Sequence, residues 1–223
     1  MIRIKAIIPA AADTFLASNR QSRINMAGGL AEVEVINCPN GPASIETSRD
    51  VSMTTEPLIA AAQQAEAEGF DAITIDCAAD PSLRAVKESV SIPVCAAGEA
   101  SYMTALLLCN KFSIIAVLDQ TVRLIKENIA VYGLKERVLS VVAANVPVLD
   151  LESEAAYHAI LKQAEIEKSK GAGAIVLGCT GMSKYASILE EQLQIPVIDP
   201  AAAAIQISIS LVLGNRKTSK HDF

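Results

Sequence analysis

The chain has 223 residues, 51% of them apolar and 20% charged, which suits one or two folded domains with a substantial core and excludes a disordered tail. Lysine and arginine number 19 against 25 aspartates and glutamates, a net charge of −6 without the basic footprint that nucleic acid or an anionic membrane requires. No run approaches the roughly 18 apolar residues of a membrane-spanning helix, so neither nucleic acid nor membrane is expected as a partner.

Met1 to Pro9 carries an early positive charge, as a signal peptide does. Its apolar part is short and broken by Pro9, so residues 2–8 read as a buried first strand. Asp13 is placed to cap a helix that stops at Gly28-Gly29, ahead of a strand over 31–36. Thr55 caps a helix with Pro57 in its first turn, running to Gly69. A strand over 71–76 follows, then a helix capped by Asp80 with Pro81 at its first position, then a strand over 92–95. The second half repeats the scheme, with strands near 113–118, 138–143, 174–177 and 196–198 and helices near 120–132, 154–170, 183–193 and 201–213. Such alternation predicts an α/β fold of parallel sheets with helices on both faces.

The halves are also alike in detail. Gly69-Phe70-Asp71-Ala72-Ile73-Thr74-Ile75-Asp76-Cys77 resembles Gly171-Ala172-Gly173-Ala174-Ile175-Val176-Leu177-Gly178-Cys179. An Ile-Pro-Val strand follows each, with Pro93 16 residues after Cys77 and Pro196 17 after Cys179. A period of about 100 residues is too long for a solenoid. It predicts two similar α/β lobes related by pseudo-symmetry, residues 1–99 and 100–223, facing each other across a cleft; helix 201–213 has the option of packing back on the first lobe.

Five cysteines (38, 77, 95, 109 and 179) with no C-x-x-C point to a reducing, cytoplasmic setting without disulfides. His158 and His221 lie far from any cysteine, so zinc spacings are absent and no metal is expected. There is neither a G-x-G-x-x-G after the first strand nor a Walker loop, so no cofactor is expected.

Buried free cysteine is common, but Cys77 and Cys179 each fall at the carboxyl end of a strand, shortly before a helix start, where open α/β sheets bind ligands. A helix terminus there would lower a thiol pKa from about 8.5 towards neutrality. Two such thiols on opposite walls of one cleft suit inversion of a carbon centre, since one takes a proton from one face and the other returns one to the opposite face. Backbone N–H groups after each cysteine, with Thr180, would stabilise the enolate. The small residues Ala78, Ala79 and Gly181 would let substrate approach the backbone.

At these positions the sequence resembles the aspartate/glutamate/hydantoin racemase superfamily, and most of all its hydantoin and allantoin racemase branch. The stretches that carry the resemblance are Gly41-Pro42-Ala43-Ser44-Ile45-Glu46, Cys77 with Asp80-Pro81, Ile92-Pro93-Val94 with Gly98-Glu99-Ala100, Pro147-Val148-Leu149-Asp150, and Leu177-Gly178-Cys179-Thr180-Gly181-Met182. The resemblance implies two Rossmann-like lobes, an active site between them, cofactor-independent racemisation of a small molecule, homo-oligomers, and catalysis by Cys77 and Cys179. It also puts Ser44 and Ile45 at the substrate. Members of this group often carry Asn-Pro-Asn after the first strand; here the stretch is Ile8-Pro9-Ala10, which keeps Pro9 at the substrate without the amides. Many also carry an aromatic after the first cysteine, where this chain has Ala78.

The expected substrate is a 5-substituted hydantoin or an allantoin-like ureide, with aspartate or glutamate as the alternative. Relatives that isomerise maleate or decarboxylate arylmalonates offer a different chemistry on the same fold, and a non-catalytic small-molecule binding protein is the non-enzymatic reading. Cys38, Cys95 and Cys109 read as loop or core thiols, His158 as exposed, Asp80 as a helix cap, and the tail from Asn215 as a frayed terminus.

Overall fold

In the computed structural model, which describes residues 1–11 and 16–222, two four-stranded parallel sheets repeat one topology. The first contains β1 (Ile2–Ile8), β2 (Ala31–Asn37), β3 (Ala72–Ile75) and β4 (Val94–Ala96) in the order β2-β1-β3-β4. The second contains β5 (Phe112–Ala116), β6 (Val138–Ala143), β7 (Ile175–Leu177) and β8 (Val197–Ile198) in the order β6-β5-β7-β8. The expected α/β fold with parallel sheets is observed. The inner strands β3, β5 and β7 are buried along their whole length, polar Thr74 and Ser113 included, because helices cover both faces. The edge strand β2 alternates instead, with Glu32 and Glu34 turned to solvent.

The helices are α1 (Leu16–Met26), α2 (Ser48–Met53), α3 (Thr55–Ala67), α4 (Leu83–Ser89), α5 (Ala97–Leu108), α6 (Asp119–Val131), α7 (Glu154–Ser169), α8 (Ala186–Leu193) and α9 (Pro200–Leu213). Leu58, Ala62 and Val86 of α3 and α4 pack on Ile7, Ile73 and Ile75 of the first sheet. The opposite face is covered by α1 and, from the far end of the chain, by α9, whose Ile205 and Ile209 lie among Ile4, Ala6, Val33 and Ala72. Conversely, Ala100, Tyr102 and Ala105 of α5 pack with Phe112, Ile114, Ala116 and Val176 of the second sheet. Each sheet is therefore completed by the last helix of the other half, and the expected lobe boundary at residues 99 and 100 falls inside α5.

Several local expectations change. The helix cap expected at Asp13 lies outside the described residues. The stretch before α3, to which no element was assigned from the sequence, contains α2, closed by a capping box in which Asp50 N–H donates to Thr47 Oγ1 at 3.2 Å and Thr47 N–H to Asp50 at 2.8 Å. Thr55 is the first helical residue of α3 and not its cap. Asp80 does not cap α4, which begins at Leu83; it is drawn inward to cap α5 instead. The tail is tied back rather than frayed at Thr218, whose N–H and hydroxyl donate to the carbonyls of Ser91 and Ile92 at 2.9 and 2.8 Å. No helix among the described residues is long and apolar enough to cross a membrane.

Candidate active site

The two cysteines leave their sheets at equivalent points. In the first lobe Asp76, the residue before Cys77, still donates its N–H to Ile7 of the central strand at 2.8 Å. In the second, Gly178 before Cys179 donates to Ile115 of the matching central strand at 2.8 Å. Beyond each cysteine the chain is anchored to the start of the helix that follows the next strand. Asp80 accepts from the N–H groups of Gly98 and Glu99, both at 2.7 Å, and from the Tyr132 hydroxyl at 2.8 Å. In the second lobe the Ser183 hydroxyl donates to Asp199 at 2.7 Å, and the same carboxylate oxygen accepts from Ala201 N–H at 2.9 Å. The two devices use different residues to do one thing: each holds its cysteine loop against the helix behind it.

Between the lobes lies a cavity of about 100 Å³. The first lobe lines it with Ile8, Pro9, Ala10, Asn19, Ala43, Ser44, Ile45, Asp76 and Cys77, and the second with Val148, Leu151, Glu152, Cys179, Thr180 and Gly181. Nearly all of these residues follow the carboxyl ends of strands, the position at which parallel sheets bind ligands. Of the residues picked out in the sequence, Cys77, Cys179, Pro9, Ser44, Ile45, Thr180 and Gly181 meet here. Ala78 does not line the cavity. It is buried because Asp80 pulls the loop inward, and its carbonyl closes on Gly98, where a Cβ would stand 2.5 Å away. Ala79 is buried too, its carbonyl accepting from the Asn128 amide at 2.7 Å.

The roof of the cavity is shared between the lobes. Glu46 accepts from Val148 N–H at 3.0 Å, joining the Ser44-Ile45 segment to the 3-10 turn Val148–Asp150. The Thr180 hydroxyl, expected to face the enolate, donates to the Asp76 carbonyl at 3.3 Å. Lining by Asn19, Val148, Leu151 and Glu152 was not read from the sequence, although the segment from Pro147 to Asp150 was among those carrying the family resemblance.

The electrostatics correct one expectation. Burial pushes the Cys179 thiol up to about 11, with Asp76 and Glu46 adding to the rise and the Gly181 N–H and Arg23 opposing it. Gly181 N–H donates to the Cys179 sulfur at 3.4 Å. Burial raises Cys77 further still, helped by the charges of Cys179, Asp80 and Asp76 and opposed by the Ala79 N–H. Neither thiol is brought to neutrality by a helix terminus, because α4 starts six residues after Cys77 and Cys179 precedes a 3-10 segment, Thr180–Tyr185. The remaining cysteines stand apart. Cys38 and Cys95 are buried, Cys109 is half-buried, and all five are free thiols. His158 is exposed beside Glu154. Among the described residues no group of three or more His, Cys, Asp or Glu side chains is gathered in a way that could hold a metal ion.

The family model for Asp/Glu/hydantoin racemase matches residues 4–207. The chain belongs to this family. It is 34% identical to the hydantoin racemase of Rhizobium meliloti over 98% of this chain and 92% of that one. It is 35% identical to the hydantoin racemase of Paenarthrobacter aurescens over 98% and 94%. Among solved structures, an allantoin racemase from Klebsiella pneumoniae superposes with a TM-score of 0.95 at 29% identity, covering all of this chain and 92% of that one. Racemases are isomerases, so the family gives the enzyme class and the two-lobed architecture together.

Proposed function

We propose that this chain is a cofactor-independent racemase in which Cys77 and Cys179 act as an acid/base pair on a 5-substituted hydantoin or an allantoin-like ureide. The observation that carries the reading is that Cys77 and Cys179, one from each lobe, line the same cavity. The C5 hydrogen of such a ring lies next to a carbonyl. One thiolate removes it, the electron pair passes onto the carbonyl oxygen, and the opposite thiol gives its proton to the other face. The thiolate and thiol have then exchanged roles, and the product is the other enantiomer.

The lining favours a neutral ring over an acidic amino acid. Among the described lining residues there is no lysine, arginine or histidine, and the charged ones are Asp76 and Glu152. A substrate carboxylate would find no cation in this lining, since Arg23 and Lys184, the partners of Asp76 and Glu152, lie outside it, and its desolvation would go uncompensated. Ile8, Pro9, Ala43, Ile45, Val148 and Leu151 supply an apolar surround suited to the ring and its substituent. Aspartate, glutamate and maleate fit this lining less well for the same reason. A reducing, cytoplasmic setting, read from an odd number of cysteines without C-x-x-C, and assembly with copies of itself, implied by the resemblance, belong to the same reading.

The test is deuterium entry at carbon in heavy water over chiral 5-substituted hydantoins, allantoin, aspartate and glutamate, followed together with optical rotation. The expected result is exchange with racemisation of a neutral ring. Exchange confined to the acidic amino acids would overturn the substrate class, and no exchange with any of them would overturn the reaction.

A further inference from the structure

Behind the cavity wall the two cysteine loops are tied to one another by a residue of neither loop. Arg23, on α1, is 1% exposed. Its Nε donates to Asp76 Oδ2 at 2.8 Å and its Nη2 to Asp76 Oδ1 at 3.0 Å. The same Nη2 reaches the Thr180 carbonyl at 3.5 Å. Since Asp76 precedes Cys77 and Thr180 follows Cys179, one guanidinium grips one residue from each wall of the cavity, and the Thr180 hydroxyl closes the circuit onto the Asp76 carbonyl. A buried ion pair is a poor source of stability compared with apolar packing of the same volume, but a planar fork fixes direction as well as distance. It has a second consequence. Asp76 lines the cavity, and with both carboxylate oxygens held by Arg23 it is kept from turning to the substrate as a competing base.

We propose that Arg23 is a positioning residue for inversion, holding Cys77 and Cys179 in line across the reacting carbon. The proposal rests on the two-thiol reading above. Inversion needs two transfers: the carbon's proton passes to one thiolate, and the opposite thiol delivers its own to the other face. If the two loops shift relative to one another, the first transfer survives and the second fails. The intermediate is then reprotonated from the side it left, and deuterium enters without a change of configuration.

The test compares wild type with Arg23→Lys, which keeps the charge and loses the fork, and with Thr180→Val, which removes the hydroxyl tie and leaves the ion pair in place. Initial rates of inversion and of deuterium entry are measured in heavy water on the same 5-substituted hydantoin, with KM and thermal unfolding for each protein. The expected result for Arg23→Lys is a fall of about fivefold or more in the ratio of inversion to deuterium entry, with KM within about twofold of wild type, the scale set by small misplacements of reacting groups; Thr180→Val, in which Arg23 still holds both loops, should show a smaller fall than Arg23→Lys. A ratio equal to that of wild type in folded Arg23→Lys, whether both rates hold or both fall together, or a larger fall in Thr180→Val than in Arg23→Lys, overturns the positioning role. Absence of both inversion and deuterium entry in the wild type overturns the two-thiol reading, and this proposal with it.

Discussion

Gly98 stands directly against Asp80. Its N–H donates to Asp80 Oδ1 at 2.7 Å, and a Cβ at this position would lie 2.6 Å from Oδ2 and 2.5 Å from the Ala78 carbonyl. Both obstacles belong to the loop that carries Cys77, and one of them is backbone, which cannot rotate away. Gly98→Ala is therefore expected to push that loop off α5, lowering stability by about 1–3 kcal/mol and reducing turnover by more than the folded fraction accounts for. Thermal unfolding and kcat on the same preparation check it, and wild-type turnover in Gly98→Ala would show that the loop tolerates the shift.

Asp80 also makes stability depend on pH. Burial pushes its carboxyl up to about 7, against the Tyr132 hydroxyl and the N–H groups of Gly98 and Glu99, while the unfolded value is near 3.8. The folded state thus holds the proton more tightly than the unfolded one. The stability this contributes is fully present below about pH 4 and is lost as pH rises through 7. In Asp80→Asn the corresponding decline between pH 4 and 7 should be absent. Chemical denaturation at a series of pH values, wild type beside variant, measures the difference, and parallel curves would contradict it.

The thiols should differ in reactivity. Cys179 is raised to about 11 and Cys77 further, so Cys179 holds the larger thiolate fraction at any pH below that. The thiolate fraction, and with it alkylation, grows about tenfold per pH unit in this range. Iodoacetamide at pH 8 to 9 followed by peptide mass analysis should find Cys179 modified before Cys77, and racemisation should climb with pH from 7 upward without a plateau at neutrality. Faster labelling of Cys77 would reverse the assignment.

Glu46 joins the two halves of the cavity roof and also opposes ionisation of Cys179. Substitution can separate these effects. Glu46→Ala loses the bond to Val148 N–H and is expected to raise KM severalfold, while kcat near neutrality does not fall in proportion. Glu46→Gln keeps an acceptor for that N–H and removes the charge, so KM should be held and the acid limb of the pH profile should move to lower pH. A KM unchanged in Glu46→Ala would mean that the roof does not contribute to substrate retention.

The layout of the lobes and the two strand-end cysteines were legible because short apolar runs closed by Cys recur at matching positions, in β3 before Cys77 and in β7 before Cys179. Other features were hidden for specific reasons. Four of the six residues of α2 are polar and none of its side chains is buried, so no hydrophobic periodicity announces it. Arg23 reads as the surface residue of a polar helix because its partner, Asp76, is 53 positions away. Asp80 precedes a helix as a cap should, and only the fold brings the N–H groups of Gly98 and Glu99 closer to it than those of α4. The exchange of α5 and α9 between sheets leaves no local mark, since both helices are apolar almost all round.

The most direct measurement is deuterium entry into each separate enantiomer of the substrate by Cys77→Ser and Cys179→Ser. If the sulfurs attend opposite faces of one carbon, each variant loses racemisation and retains exchange with a single enantiomer, and the two variants choose opposite ones. Near wild-type racemisation by either variant, or exchange of the same enantiomer by both, would contradict the account.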